Sequence, residues 1–230
     1  MAHLIKLELK KFGVIRNTCF TIAVILFCIL FITVSLVDSM TDPEQTKDSF
    51  ESTFLVIGLL MSFIFLVYSS LLTSRLIIGE YNQGMITILF SYPLDRRQLI
   101  ASKMIIIMIY TAISITAGYI CCCVYIILAD RYFDMLEGSF HISMLRTWIP
   151  MAAITVIICT LLSLWPFIIG MIRKSVPAAF ITSLCVIFLR QLLISKNSAN
   201  QESLPQLLLI ALITVLSAVF IFQKKVPELY

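Results

Sequence analysis

The sequence contains very little charge. Of its 230 residues only 13% are Asp, Glu, Lys or Arg, whereas 60% are hydrophobic, and the mean hydropathy is +1.01. Soluble domains carry about 25% charged residues. The composition therefore indicates an integral membrane protein. Because one span needs about 20 apolar residues, the chain has room for several spans, and we expect no separate extramembrane domain.

The sequence also lacks the residues that intramembrane catalysis and metal binding require. It has two histidines, His3 and His141, and neither is near a cysteine cluster. Its seven cysteines fall in apolar runs without metal-ligand spacing, and mid-span positions offer no Asp, Glu, His or Lys. We therefore expect no zinc site, no intramembrane protease and no proton-coupled carrier. The role of Cys121-Cys122-Cys123, in redox chemistry or palmitoylation, stays open, although its mid-span position argues against both.

No nucleotide-binding loop is present in the sequence. Gly79 and Gly84 have the G-x-x-x-x-G spacing, but Met85 and Ile86 stand where a P-loop has Lys and Ser or Thr. The chain is therefore predicted not to be an enzyme and to hold no cofactor. If ATP drives it, ATP and Mg²⁺ must be bound by another polypeptide.

The apolar runs predict an all-α membrane protein with six spans in a single domain, 1–230. Met1–Arg16 mixes basic and apolar residues in a pattern that predicts an amphipathic interfacial helix rather than a signal peptide. Pro166 is expected to kink the fourth span, and Arg190 to lie in the last turn of the fifth and reach outward to the interface. The predicted spans are residues 18–37, 53–78, 104–128, 147–172, 176–194 and 204–222.

Loop charges predict the orientation of these spans. Twelve of the 17 cations fall in segments assigned to the inside and five outside, whereas nine of the 13 acids fall outside, so both termini are predicted to be cytoplasmic. Outer loops are predicted at 38–52, 129–146 and 195–203, the second with a short interfacial helix. Trp148 and Trp165 fit two aromatic belts. Because the cations are spread over short loops, we expect no nucleic-acid partner.

One partly charged segment lies between the second and third predicted spans. Residues 81–91 predict a short amphipathic helix, Pro93 ends it, and Asp95 begins another helix as N-cap, with Gln98 at the capping-box position. Such a short helix fits a groove on a soluble partner, and the side chains it would present are Met85, Leu89 and Phe90. Cations that suit a cytoplasmic membrane border follow at Arg96, Arg97 and Lys103.

This segment resembles the cytoplasmic coupling segment of permease subunits of type-2 ABC exporters. It departs from the usual pattern at Met85, where Thr or Ser is common, and at Asp95, where Ser or Thr often precedes the Arg. Asp serves equally as an N-cap. The residues that carry the resemblance are Glu80, Gly84, Ile88, Leu89, Ser91, Pro93, Arg96, Leu99 and Ser102-Lys103.

The resemblance implies a permease that pairs with a second permease copy, identical or paralogous, and with two cytoplasmic ATPase subunits. Members of this compact size resemble those that expel bacitracin-like or lantibiotic-like antimicrobial peptides from bacterial plasma membranes, while others move drugs, ions or lipids. Two other classes stay open: a non-transport membrane scaffold or assembly protein, and an ATP-independent carrier. Coupling to the ATPase is assigned to Glu80, Tyr81, Gly84, Met85, Leu89, Phe90, Pro93, Arg96 and Arg97.

Overall fold

The regular structure of the protein is helical throughout the part that is described. The computed structural model describes residues 13–41, 50–78, 96–133, 142–173, 175–196, 209, 212–217 and 220. No strand occurs within these ranges, so the predicted all-α class is confirmed for them. The helices are α1 (Val14–Thr41), α2 (Phe50–Thr73), a π-helix (Ser74–Ile78) that continues α2, α3 (Arg96–Phe133), α4 (Ile142–Leu162), α5 (Leu164–Arg173) and α6 (Val176–Lys196).

Four helical stretches of the described chain are long and apolar enough to cross a membrane. They are Ile15–Asp38, Ser52–Leu76, Ile100–Phe133 and Trp148–Gly170, and a shorter apolar helix covers Val176–Gln191. These five stretches coincide with the first five predicted spans, and the chain is a multi-pass membrane protein. The sixth predicted span is described at 209, 212–217 and 220, which are helical, and the N-terminal amphipathic helix falls mostly on residues outside the described ranges.

The helices are longer than the apolar runs that predict them. Residues 38–41 and 50–52 are helical although they were assigned to the first outer loop, and α3 and α4 take up both ends of the second, 129–146. The last loop also begins later, because α6 ends at Lys196. Helix propagation adds one backbone hydrogen bond per residue whatever the side chain, so these helices do not stop where the apolar run stops. The short helix predicted in 129–146 falls mainly on residues outside the described ranges.

The fourth span is interrupted where a kink was predicted. Ser163 forms a turn between α4 and α5, and its backbone N–H still donates to the carbonyl of Cys159 at 3.0 Å. Pro166 cannot donate a backbone hydrogen bond, and its ring crowds the carbonyl four residues earlier. That carbonyl belongs to Leu162, the last residue of α4. The break one turn before Pro166 is therefore a consequence of the proline.

The chain forms two compact units. One comprises Ile15–Ile64 and Ile113–Val156, and the other Met1–Val14, Phe65–Ala112 and Ile157–Tyr230. In the first of these, buried side chains recur every three or four residues along three helices, whereas large apolar residues on other faces of α1, such as Phe27 and Leu30, are exposed. Exposed apolar faces of this kind suit contact with lipid. The buried positions are Ile25, Cys28, Ile32 and Leu36 of α1, Phe54, Ile57 and Met61 of α2, and Ile115, Tyr119, Cys122 and Ile126 of α3.

Two close contacts join helices within this unit. The Tyr119 hydroxyl of α3 donates to the Gly58 carbonyl of α2 at 3.4 Å, and a Cβ at Gly58 would lie 3.3 Å from the same hydroxyl. A small residue therefore allows the two helices to approach, as is common in membrane bundles. The ring of Trp148 packs on Phe54 with a centroid distance of 4.1 Å. Trp148 is thus a helix-packing residue, a role that the predicted aromatic belt did not include.

In the other unit, α5, α6 and the π-helix contact one another. Ser175 caps the start of α6, where its side-chain oxygen accepts from the backbone N–H of Ala178 at 3.4 Å, so Pro177 sits in the first turn, where a missing N–H costs nothing. Ser183 of α6 donates to the hydroxyl of Ser70 in α2 at 3.5 Å. Polar contacts of this type hold apolar helices in register.

Candidate functional site

The predicted coupling segment lies mostly outside the described residues, but both of its flanks are described. The π-helix ends at Ile78 before it, and α3 begins at Arg96 after it. That start follows Asp95 directly, where the sequence predicts an N-cap. Arg96 and Arg97 therefore form the first turn of α3. The other predicted coupling residues, Glu80, Tyr81, Gly84, Met85, Leu89, Phe90 and Pro93, lie outside the described residues.

The flank before the segment is a widened helix. Four hydroxyl groups near the end of α2 donate to backbone carbonyls three or four residues earlier at 2.7–2.9 Å. Such bonds compete with the helical hydrogen-bond ladder and bend helices, and the helix here changes to the π form, which often marks functional sites. Sequence reasoning missed the π-helix, although the cluster of hydroxyls is a visible signal. The donors are Ser69, Ser70, Thr73 and Ser74.

The flank after the segment is fastened to the flank before it by Lys103. This side chain is only 4% exposed, and its ammonium group donates to the carbonyl of Leu76 in the π-helix at 3.2 Å. The last carbonyls of a helix lack partners within the helix, and a cation there also interacts favourably with the helix dipole. The sequence placed Lys103 among the cations of a cytoplasmic membrane border. The structure shows it buried and bridging two helices instead.

An apolar cluster surrounds this contact and brings in a third helix. Its buried members are Ile107 of α3 and Leu164, Phe167 and Ile168 of α5, with Leu76, Ile100, Met104, Met108 and Ile172 packed against them. Leu76 precedes the coupling segment and Ile100 follows it. Both flanks of the segment therefore belong to one apolar cluster, which also includes α5. We call this group, together with Lys103, the coupling cluster.

The arrangement can transmit displacement. Protein interiors are packed at the density of organic crystals, so a shift of one packed element is passed to its neighbours. Lys103 joins the π-helix to α3, and the cluster connects both with α5. Helix α5 is separated from α4 by the turn at Ser163.

A cavity of about 270 Å³ lies on another side of α5. Its wall is almost entirely apolar and includes Trp165 and Ile169, with Arg190 of α6 also lining it. Arg190 is 9% exposed, and α6 continues six residues beyond it to Lys196. Arg190 therefore lies before the last turn of α6 and its side chain is buried beside the cavity, so the expectation that it lies in the last turn and reaches outward was wrong. Trp165 likewise lines this cavity.

Within the described ranges, no group of three or more His, Cys, Asp or Glu residues is placed to hold a metal ion. All seven cysteines are described, and all are free. Of the three consecutive cysteines, Cys122 is buried and Cys121 is exposed on the apolar surface of α3.

Comparison with known proteins decides the family. A family model described as "ABC-2 family transporter protein" matches residues 4–190, which is most of the chain. The chain belongs to the ABC-2 transporter family. Among relatives, it is similar to the uncharacterized protein YcbO of Bacillus subtilis (strain 168), with 26% identity over 190 residues that cover 81% of this chain and 82% of YcbO. An ABC-2 chain is the membrane component of a transporter, in agreement with the apolar helices described above.

Proposed function

We propose that this ABC-2 chain is the permease subunit of an exporter that moves an amphipathic substrate, an antimicrobial peptide or a hydrophobic drug, out of the bacterial plasma membrane. The energy comes from ATP hydrolysed by two cytoplasmic ATPase subunits, which also bind the ATP and Mg²⁺. A second permease copy or paralogue completes the complex. The family match over residues 4–190 supports the permease role.

The coupling cluster is the observation that carries this proposal. Lys103 joins both flanks of residues 79–95, and the apolar cluster connects them with α5, as is needed if that segment receives a mechanical input. In our proposal the segment docks in a groove of the ATPase through Glu80 and the helix of residues 81–91, with Arg96 and Arg97 beside it. Closure of the ATPase around ATP then moves α5 through the cluster.

Export is tested by measuring the resistance of bacterial cells to candidate substrates. The chain is expressed in a sensitive bacterial strain together with its ATPase, and the minimum inhibitory concentrations of bacitracin, a lantibiotic and ethidium are measured. We expect resistance to the peptides to rise, and to fall back when the catalytic glutamate of the ATPase is replaced. Resistance to ethidium alone would indicate a drug exporter, and unchanged sensitivity to all three compounds would contradict export of either class.

The proposed orientation places residues 42–48 outside the cell and Arg96 in the cytoplasm. A cysteine introduced at Glu44 in a cysteine-free variant is expected to react with an impermeant maleimide added to intact cells. A cysteine at Gln98, which follows Arg96 in α3, is expected to react only after the cells are opened. The reverse labelling pattern would mean that the positive-inside assignment is wrong for this chain.

A further inference from the structure

The cavity beside α5 has a shape and lining that suit an acyl chain. It lies between α4 and α5 on one side and α6 on the other, and residues near the end of the chain also line it. Apart from Arg190 and two threonines its lining is apolar or weakly polar. Its volume of about 270 Å³ is just below the roughly 300–1,000 Å³ of pockets that enclose whole drug-sized ligands. It therefore suits one hydrocarbon chain rather than a complete peptide or lipid.

Arg190 lies toward one end of the cavity lining that α6 provides. Helix α5 ends at Arg173 and α6 begins at Val176, and the two helices contact each other. Thr182 and Arg190 of α6 both line the cavity, and eight residues of helix separate them by about 12 Å. The cavity therefore extends along α6, and Arg190 is the lining residue of that helix nearest to its C-terminal end.

Arg190 is a buried cation near the end of α6. The apolar stretch Val176–Gln191 is followed by Leu192, Leu193 and Ile194, and α6 ends at Lys196, so Arg190 lies less than two turns before the end of the helix. A cation among apolar residues within a span is costly and is typically found where it meets a counter-charge or ligand. A guanidinium offers five N–H donors in a planar fork that matches phosphate, so it can serve the protein and a ligand together.

We propose that this cavity binds one anionic phospholipid, with the lipid phosphate on Arg190 and one acyl chain along the wall formed by Leu162, Trp165, Val186 and Leu189. The second acyl chain stays in the bilayer. An anionic lipid is favoured over a zwitterionic one because its headgroup brings no second cation close to Arg190, and the apolar wall favours a lipid over a free anion. The proposal concerns this chain and its bilayer and does not depend on the ATPase partner or on the exported substrate.

The test of this proposal measures how much phospholipid stays bound to the purified protein. The full chain, with any subunits that accompany it, is placed in nanodiscs of phosphatidylcholine containing a minor fraction of phosphatidylglycerol, and lipid that stays bound is counted by native mass spectrometry. We expect one phosphatidylglycerol per chain. Arg190→Gln should reduce its retention at least about tenfold, a loss of roughly 1.4 kcal/mol. Arg173→Gln is the matched control, because Arg173 is exposed at the end of α5 and does not line the cavity.

A second variant separates loss of the site from loss of the fold. Val186→Trp fills the cavity without changing Arg190 and is expected to displace the lipid as well, whether or not Arg190→Gln can be purified. Equal retention of phosphatidylglycerol by the wild type and both cavity variants would overturn the proposal. Retention of phosphatidylcholine by the wild type to the same extent as phosphatidylglycerol would also overturn it. Displacement of the lipid from the wild type by inorganic phosphate would overturn it too, because that result would indicate a site for free anions.

Discussion

Lys103→Met is expected to uncouple the partner ATPase from the membrane helices. Methionine keeps an apolar stem of similar length for the coupling cluster but removes the ammonium group that donates to the Leu76 carbonyl at 3.2 Å. Loss of a hydrogen bond from a charged group costs about 1.5–3 kcal/mol, so the melting temperature of the detergent-solubilised protein should fall. In proteoliposomes, stimulation of ATP hydrolysis by the permease should fall about tenfold, the equivalent of roughly 1.4 kcal/mol.

Arg131→Met is the matched control for this change. Arg131 is an exposed cation in the last turn of the same helix, α3, far along the chain from the coupling cluster. Its replacement should leave both the melting temperature and the ATPase stimulation close to wild type. If Lys103→Met lowered stability but kept full stimulation, the contact would be purely structural and the proposed transmission through it would be wrong.

Substitution in the segment between the two flanks that Lys103 joins is expected to have the other large effect. Glu80→Ala, or a charged residue at Leu89 or Phe90, should abolish stimulation of the ATPase while the chain still inserts in the membrane. A docking helix presents its apolar side chains to a groove on the partner, and a buried unpaired charge there costs several kcal/mol. ATP hydrolysis and the amount of ATPase that co-purifies with each variant are the measurements.

Asp38→Ala serves as the control for these variants. Asp38 is an exposed acid at the end of α1 and lies in the predicted outer loop, so its replacement tests for general effects of removing a carboxylate. If the Glu80 and Leu89 variants stimulated ATP hydrolysis as strongly as the wild type does, residues 80–90 would be excluded as the docking site. The coupling cluster would then have to receive its input from another part of the chain.

Hydropathy predicted the helices well because their formation depends mainly on local sequence. A bilayer leaves no water to satisfy backbone groups, so long apolar runs must be helical, and the first five predicted spans are each found as helices. The break at Ser163 was also predictable, because Pro166 imposes it through its own ring. The ends of the helices were less accurate, since hydrogen bonding continues past the apolar residues, as at Thr41 and Lys196.

Contacts between distant residues could not be predicted in this way. The sequence shows that Lys103 stands at the start of a long apolar run, but its partner, Leu76, lies 27 residues earlier and is defined by packing of α3 on the π-helix. Arg190 is a similar case. Its cavity is formed by helices that meet only in the folded chain, so an isolated arginine near the end of an apolar run was read as reaching the interface.

The measurement that tests the central claim most directly is purification of the tagged chain from its native membrane in a mild detergent, followed by identification of its partners and an assay of ATP hydrolysis. We predict an ATPase of the ABC type in stoichiometric amount, with hydrolysis that is lost when the catalytic glutamate of that ATPase is replaced. If the chain purified alone, or with a partner that does not bind nucleotide, an ATP-driven permease would be contradicted and a scaffold or an ATP-independent carrier would take its place.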